Sequence, residues 1–180
     1  MKTNFGMWLF IASEVLIFGA LIMLFEINYS KFHLPFKLAS KELHYYHGII
    51  NTFILLTSSY LVALSQAKKR RIYVLGAIFL GFCFLMVKGH EYYGLIEEKK
   101  FVFNFLETIP IHQKLFFTFY GFLTMLHALH VILGILVLII VWWQMEKEID
   151  PEFQENVGLY WHFVDLVWVY LFPLFYLLGH

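Results

Sequence analysis

The sequence predicts an all-α integral membrane protein, a single domain over residues 1–180 built as a bundle of five transmembrane helices. The first observation is composition: 61% of residues are hydrophobic and 14% are charged, whereas soluble domains average about 45–50% apolar and about 25% charged residues. The second is that the apolar residues form five runs, each long enough to cross a bilayer core of about 30 Å. The third is that these runs lack the alternation of barrel strands, so helices are expected.

The five predicted spans are, in order, about 5–28, 47–66, 71–94, 115–143 and 158–178. The first follows one lysine and has no small-residue cleavage site, so it is expected to remain as a span. Cys83 is the single cysteine, which excludes an internal disulfide and predicts a small buried hydrophobe. The connecting segments are an amphiphilic loop, a basic turn, a charged loop and an acidic stretch: 29–46, 67–71, 95–114 and 146–155.

The distribution of basic residues predicts the orientation of the bundle. Lys68 to Arg71 form the densest cluster beside the spans, and positive charge in short loops favours the cytoplasmic side. We therefore expect the N-terminus in the cytoplasm and, with five spans, the C-terminus outside. The formal net charge is zero, so no overall field attracts nucleic acid.

Several polar residues lie inside the predicted spans, where desolvation is costly. Glu14 lies about 15 Å from the cytoplasmic end of the first span at 1.5 Å per residue, near mid-depth. Such a carboxyl group is expected to face the bundle interior, either as a functional group or as a protonated acid bonded to a neighbour. The other intramembrane polar positions are Asn51, Thr52, Thr57, Ser58, Ser59, Lys88, His90, Glu91, His127, His130, His162 and Asp165.

Simpler structural roles are open for several of these positions. Lys88, His90 and Glu91 are expected either to extend toward the membrane surface or to join helices. Thr57 to Ser59 fit a small-residue packing surface between helices. Trp161 and the pair Trp142–Trp143 fit an aromatic belt at the membrane surface.

The histidines do not predict a metal or haem site. His127 and His130 lie three residues apart on one helix face, whereas a haem with two histidine ligands needs opposed helices at matching depth. A carboxylate-bridged site would carry Glu-x-x-His pairs on several helices, and this chain has none. The expectation is no catalytic centre and no metal in this chain.

Four stretches resemble subunit III of the haem–copper oxidases, in its short five-helix form. The first span, G-M-W-L-F-I-A-S-E-V-L-I-F, is similar to the family's S-E-x-x-x-F helix. N-T-F-I-L-L-T-S-S and H-A-L-H-V-I-L-G resemble two internal motifs, and Y-W-H-F-V-D-L-V-W resembles the closing signature. The motifs occur in the family's order over nearly the whole chain.

The resemblance implies a non-catalytic accessory subunit of a cytochrome c or quinol oxidase of aerobic respiration. Such a subunit packs against catalytic subunit I, and subunit II is a further expected partner; haem and copper belong to those partners. It binds phospholipid and supports proton uptake and the stability of the complex, in a bacterial-type cytoplasmic membrane.

The same resemblance assigns roles to particular positions. Glu14, Ser13 and Trp8 are expected beside the lipid cleft or the proton-uptake region. Asn51, Thr52, Trp161 and Trp168 belong to the family signature. The intramembrane polar ties are expected at His127, His130, His162, Asp165 and Glu91.

The chain departs from the family pattern at two places, and other functions stay open. The mitochondrial form has seven helices, and Lys88 stands where the motif Q-x-x-E-Y has glutamine. An accessory protein of nitric oxide reductase is an alternative within the same family. A small proton-coupled transporter using Glu14 and Asp165 is another, although transporters often show repeated halves that this chain lacks.

Overall fold

The computed structural model describes residues 5–97, 110–146 and 150–179, and every regular element in these ranges is helical. Five of the helices are long and apolar enough to cross a membrane, so the predicted all-α bundle of five spans is confirmed. The elements are α1 (Phe5–Lys31), α2 (His33–Ser40), α3 (Tyr45–Lys68), α4 (Arg71–Glu97), α5 (Ile111–Gln144), α6 (Pro151–Phe172) and a π-helix (Pro173–Leu177).

The expectation of a loop over 29–46 is wrong in part. Helix α1 continues to Lys31, and α2 occupies His33–Ser40. Phe36 and Ala39 of α2 are fully buried, so packing against the bundle stabilises a helix too short and too polar to register as a span. Most of the predicted 95–114 loop lies outside the described residues.

The start of α6 is fixed by its own sequence. The Asp150 carboxylate accepts a hydrogen bond from the Glu152 amide at 3.0 Å, and Pro151 occupies the first turn. An aspartate cap satisfies an amide that has no partner within the helix, and proline is compatible with that position. The helix therefore begins within the acidic stretch, seven residues before the predicted span.

Helix α6 is the central element of the bundle, and α1 is the most peripheral span. In the most apolar stretch of each helix, 56% of α6 residues are buried inside the chain, against 11% in α1. Helices α3 and α4 pack side by side, α6 packs on α3 and α5, and α1 lies along α5 and α6. The face of α1 that points away from the bundle is therefore available to lipid or to another protein.

Aromatic rings join α1, α2, α5 and the π-helix at the end of the bundle that we expect to face outside. The Phe25 ring lies 5.3 Å from Phe36 and 5.1 Å from Phe175, measured between centroids. The Ser40 hydroxyl donates to the Phe175 carbonyl and accepts from the Gly179 amide. Helix α2 is thus attached to the C-terminal segment by both apolar and polar contacts.

Candidate functional site

Glu14 of α1 and His130 of α5 form a polar pair in the bundle. Glu14 Oε2 lies 3.1 Å from His130 Nε2, and the two side chains are 14% and 9% exposed. His130 Nδ1 lies 2.8 Å from the Leu126 carbonyl, which can only accept, so we assign a proton to Nδ1. A second proton must then lie between Glu14 and Nε2, on one or the other. One shared proton thus joins the two side chains across the α1–α5 interface.

Neighbouring aromatic residues hold this pair in place. Phe18 presents its ring to His130 with centroids 5.5 Å apart, and the Tyr160 hydroxyl of α6 donates to the His130 carbonyl at 3.0 Å. An apolar groove between α1, α5 and α6 lies beside them, lined in part by Met7, Phe10, Leu133, Val137, Val157 and Tyr160. The pair is therefore close to a surface groove without being freely exposed.

Ser13 and Trp8, which the resemblance places with Glu14, do not join this pair. The exposed Ser13 hydroxyl donates to the Phe10 carbonyl of its own helix at 2.7 Å. The Trp8 side chain is 56% exposed. Of the three predicted residues on α1, the structure brings Glu14 alone to a polar partner on another helix.

His127 differs from His130 although the two are three residues apart. It is 1% exposed, and within the described ranges neither ring nitrogen has a hydrogen-bond partner. Its ring packs against Phe84 and Trp168 at 5.6 and 5.4 Å between centroids. The expected polar tie at His127 is thus replaced by aromatic packing.

His162 and Asp165 also behave differently from each other. His162 Nδ1 lies 2.5 Å from the Ser59 hydroxyl and so joins α6 to α3 as expected. Asp165 is 4% exposed and lies near Ser59. No group among the described residues meets either carboxyl oxygen in hydrogen-bond geometry. Asp165 of α6 is thus placed beside Ser59 of α3 without a hydrogen bond of full geometry among the described residues.

The two tryptophans of the closing signature are internal donors. Trp161 Nε1 donates to Ser58 Oγ, and Trp168 Nε1 donates to Thr52 Oγ1, each at 3.1 Å. Trp161 is fully buried, so its assignment to an aromatic belt is wrong. The expected small-residue surface is present at Ser58, which is buried and donates to the Ala77 carbonyl at 3.1 Å.

Asn51 is the remaining signature residue, and Trp142–Trp143 the remaining pair of the expected belt. Asn51 is fully buried, and its amide has no partner among the residues described. Trp143 is 61% exposed, as a belt residue would be. The Trp142 carbonyl accepts from Arg71 Nε at 3.1 Å, and its ring lies 4.6 Å from the guanidinium carbon of Arg71.

Residues 1–180 match the family model for cytochrome c oxidase subunit III. The chain belongs to this family. It is 26% identical to cytochrome bo(3) ubiquinol oxidase subunit 3 of Buchnera aphidicola over 99% of this chain and 87% of that protein. It is 29% identical to cytochrome c oxidase subunit 3 of Thermostichus vulcanus over 96% of this chain and 86% of that protein.

A relative in which two subunits are fused also aligns with nearly the whole of this chain. Heme-copper oxidase subunit I+III of Aeropyrum pernix is 31% identical over 98% of this chain, which corresponds to 23% of that protein. These relatives thus include subunits named for a quinol oxidase and for a cytochrome c oxidase. Membership of the family makes the protein a multi-pass membrane protein of the haem–copper oxidases.

Lys88 departs from the family motif and forms a cluster that sequence reasoning missed. Its ammonium donates to Glu91 at 2.9 Å, to Tyr120 at 2.8 Å and to Tyr176 at 2.7 Å. The Tyr176 hydroxyl in turn donates to Glu91 at 2.8 Å. Lys88 is 1% and Glu91 2% exposed, so of the two roles left open for them, extension toward the membrane surface does not apply, and Glu91 joins α4 to the π-helix through Tyr176. The sequence signal for this cluster was the lysine at position 88, where the motif has glutamine.

The ionisable side chains inside the described helices form pairs and do not form a set of metal ligands. Among the described residues, no group of three or more histidine, cysteine or acidic side chains is arranged to hold a metal ion. Glu14–His130 joins α1 to α5, whereas Lys88 and Glu91 both lie on α4. The first is a carboxyl–imidazole contact between two helices, and the second is a buried ion pair within one helix.

Proposed function

We propose that this chain is a non-catalytic accessory subunit of a haem–copper terminal oxidase of aerobic respiration, packed against catalytic subunit I and subunit II. The observation that carries the proposal is the Glu14–His130 pair, one proton shared between two helices at mid-depth. Such a pair supports proton uptake by a neighbouring subunit without any redox chemistry of its own. The fused relative supports subunit I as that neighbour.

Haem and copper are proposed to reside in the partner subunits. The described helices hold no group of three or more histidine, cysteine or acidic side chains placed to bind a metal ion, whereas a metal centre of the oxidase type needs a larger set of nitrogen or sulfur ligands. Of the two histidines on α5, His130 is bonded to Glu14, and the His127 ring is packed among aromatic side chains such as Trp168. This chain therefore supplies the protein environment around a centre held elsewhere.

Phospholipid is the proposed small ligand. The groove between α1, α5 and α6 is almost wholly apolar and opens on the surface of the bundle, which suits an acyl chain. Tyr160 lines this groove and also holds the His130 carbonyl. A bound acyl chain would stabilise the helices that position the proton pair. We place the complex in a bacterial-type cytoplasmic membrane, with the N-terminus of this chain in the cytoplasm.

Purification of the tagged chain from its native membranes tests the proposal. We expect the preparation to contain haem, copper and dioxygen-reducing activity, together with larger subunits. After detergent has removed this chain from its partners, haem and copper should stay with the partners. Recovery of the chain in a complex without haem would refute the assignment, and metal retained by the separated chain would refute its cofactor-free role.

A further inference from the structure

The turn between α3 and α4 carries consecutive basic residues at the membrane surface. Helix α3 ends at Lys68 and α4 begins at Arg71, so only Lys69 and Arg70 lie between the two spans. Both helices are long and apolar enough to cross a membrane, and they pack side by side. Because a connection of two residues cannot extend far from the bilayer, the turn lies at the level of the lipid head groups, on whichever side of the membrane it faces.

One of these positive charges is neutralised within the chain. The Arg71 guanidinium forms an ion pair with Glu146, and its Nε donates to the Trp142 carbonyl at 3.1 Å. At the same end of the bundle, the Asp150 carboxylate accepts from the Glu152 amide. Two of the carboxylates at this end are therefore already bonded to partners other than the turn.

The other three cations of the turn, Lys68, Lys69 and Arg70, are exposed. None of them forms an ion pair with a carboxylate among the described residues. The Lys68 ammonium lies 5.8 Å from the centre of the Tyr73 ring, which places this charge beside the first turn of α4. Three positive charges without a counter-charge, in three consecutive residues, form a surface that fits an anionic partner.

The backbone of the turn favours glycine at the position that Lys69 occupies. Lys69 has φ 51° and ψ 38°, and its amide donates to the Ser65 carbonyl at 2.9 Å. This left-handed residue ends α3 as a glycine usually would, but a residue with a Cβ adopts the conformation at an energetic cost that glycine avoids. Residues held in such conformations are common at ligand sites. A partner for the Lys69 ammonium outside the chain would offset this cost.

We propose that Lys68, Lys69 and Arg70 bind the head group of an anionic phospholipid, in the leaflet on their side of the membrane. Phosphatidylglycerol presents a phosphate without a cation of its own, whereas phosphatidylcholine carries a positive charge beside its phosphate. Each basic residue near an anionic membrane surface strengthens binding about fivefold. The site is separate from the apolar groove beside the Glu14–His130 pair, and it does not depend on the proposed function.

An apolar strip on α4 fits the acyl chains of such a lipid. Ile72, Leu75 and Phe79 are exposed, and they lie on one face of α4 by helical spacing. The strip begins directly after the basic turn and continues into the span. Positive charge at the membrane surface followed by apolar side chains matches a molecule with an anionic head and apolar tails. A free phosphate ion, or an acidic segment of another protein, would use the charges alone.

Photolabelling of the complex in mild detergent tests the proposal. The probes are phosphatidylglycerol and phosphatidylcholine with a diazirine in the acyl chain, so that adducts form on the apolar strip and not on the lysines. We expect several-fold more labelling of residues 71–79 by phosphatidylglycerol. The double variant Lys68→Gln/Arg70→Gln should lower that labelling about 25-fold. Lys31→Gln, at the exposed end of α1, is the control and should leave it unchanged. Equal labelling by the two probes, or full labelling of the double variant, would overturn the proposal.

Lys69→Gly separates lipid binding from folding. The substitution removes one charge and also removes the cost of the left-handed conformation. We therefore expect an equal or higher midpoint of thermal unfolding in detergent without lipid, together with about fivefold less labelling by phosphatidylglycerol. Undiminished labelling would contradict the role of the Lys69 ammonium. A lower midpoint together with lost labelling would show that the lysine supports the fold and not a lipid.

Two further measurements identify the source of the anion. Millimolar inorganic phosphate, compared with chloride at equal ionic strength, should leave the phosphatidylglycerol labelling unchanged; displacement would show that the turn binds phosphate ions and would overturn the lipid assignment. A benzophenone amino acid in place of Ile72 should form adducts with lipid in native membranes, and adducts with another protein would overturn it too. Neither result changes the haem and copper content of the complex, so failure here is distinct from failure of the proposed function.

Discussion

Glu14 and Lys88 are ionisable side chains held inside the bundle, and the structure satisfies them in different ways. Glu14 faces one histidine and shares a proton with it. Lys88 faces a carboxylate and two phenolic oxygens, so all three ammonium protons are used. A buried ion pair of this kind adds little net stability over apolar residues, but the loss of one partner is costly. The two sites therefore predict different responses to substitution.

Lys88→Met should destabilise the isolated chain by about 3–5 kcal/mol, because Glu91 loses its counter-charge in a buried site. The double variant Lys88→Met/Glu91→Leu should recover much of that loss. Thermal unfolding in detergent, arranged as a double-mutant cycle, measures the coupling. Lys31→Met on the exposed end of α1 is the matched control and should change stability by less than about 0.5 kcal/mol. Additive effects of the two cluster substitutions would show that Lys88 and Glu91 do not act as a pair.

Glu14→Ala should cost about 1–3 kcal/mol of stability, because His130 Nε2 is left without a partner. Glu14→Gln should keep most of that stability, since its amide can donate to Nε2, although it cannot carry the shared proton. Both variants should lower proton uptake or speed the loss of activity during turnover, with initial dioxygen reduction nearly normal. Oxygen consumption and proton release by the reconstituted complex measure these effects. Loss of initial turnover in the alanine variant would place Glu14 in the catalytic path instead.

At the scale of helices, close packing depends on two glycines, Gly81 and Gly134, that lie against the Trp161 ring. A Cβ added at Gly134 would lie 2.7 Å from the Trp161 ring, and one added at Gly81 would lie 3.1 Å from it. The indole therefore lies between α4 and α5 while its Nε1 reaches Ser58 on α3. One side chain of α6 thus sets the spacing of three other helices.

Gly134→Ala should destabilise the chain by about 1–3 kcal/mol through overpacking against the indole ring. Gly89→Ala is the matched control, because an added Cβ at Gly89 meets nothing within 4 Å. That substitution should stabilise α4 by about 0.5–1 kcal/mol, the usual gain for alanine over glycine in a helix. Midpoints of thermal unfolding would show the two opposite signs. A neutral Gly134→Ala would mean that Trp161 can move aside at little cost.

At the scale of the whole molecule, α6 lies at the centre of the bundle and α1 lies at its periphery. Helix α6 carries the closing signature and contacts α3, α5 and α1. Helix α1 presents most of its surface outward and contributes Glu14 on its inward side. This arrangement leaves an apolar groove along α1, where an acyl chain is proposed to bind.

The orientation of the bundle predicts the labelling of introduced cysteines. In a chain with Cys83 replaced, single cysteines in loop 95–114 and near the C-terminus should react with a membrane-impermeant maleimide added outside intact cells. Cysteines in the turn 67–71 should react only after the membrane is opened, because this basic cluster is expected in the cytoplasm. The reverse pattern would invert the assigned orientation.

The sequence by itself determined the five spans and the polar residues inside them, because hydropathy and helix length are properties of each segment alone. It did not determine α2, whose helix depends on burial of Phe36 against distant residues. The tertiary structure decided which residues these ionisable groups contact. Glu14 meets His130, 116 residues away in the sequence, and Lys88 meets Tyr176, 88 residues away. Each pairing depends on the rotation and depth of two helices, which are set by contacts such as Trp161 against Gly134. For the same reason, the sequence placed His162 and Asp165 on one face, and packing alone paired one of them and left the other unpaired among the described residues.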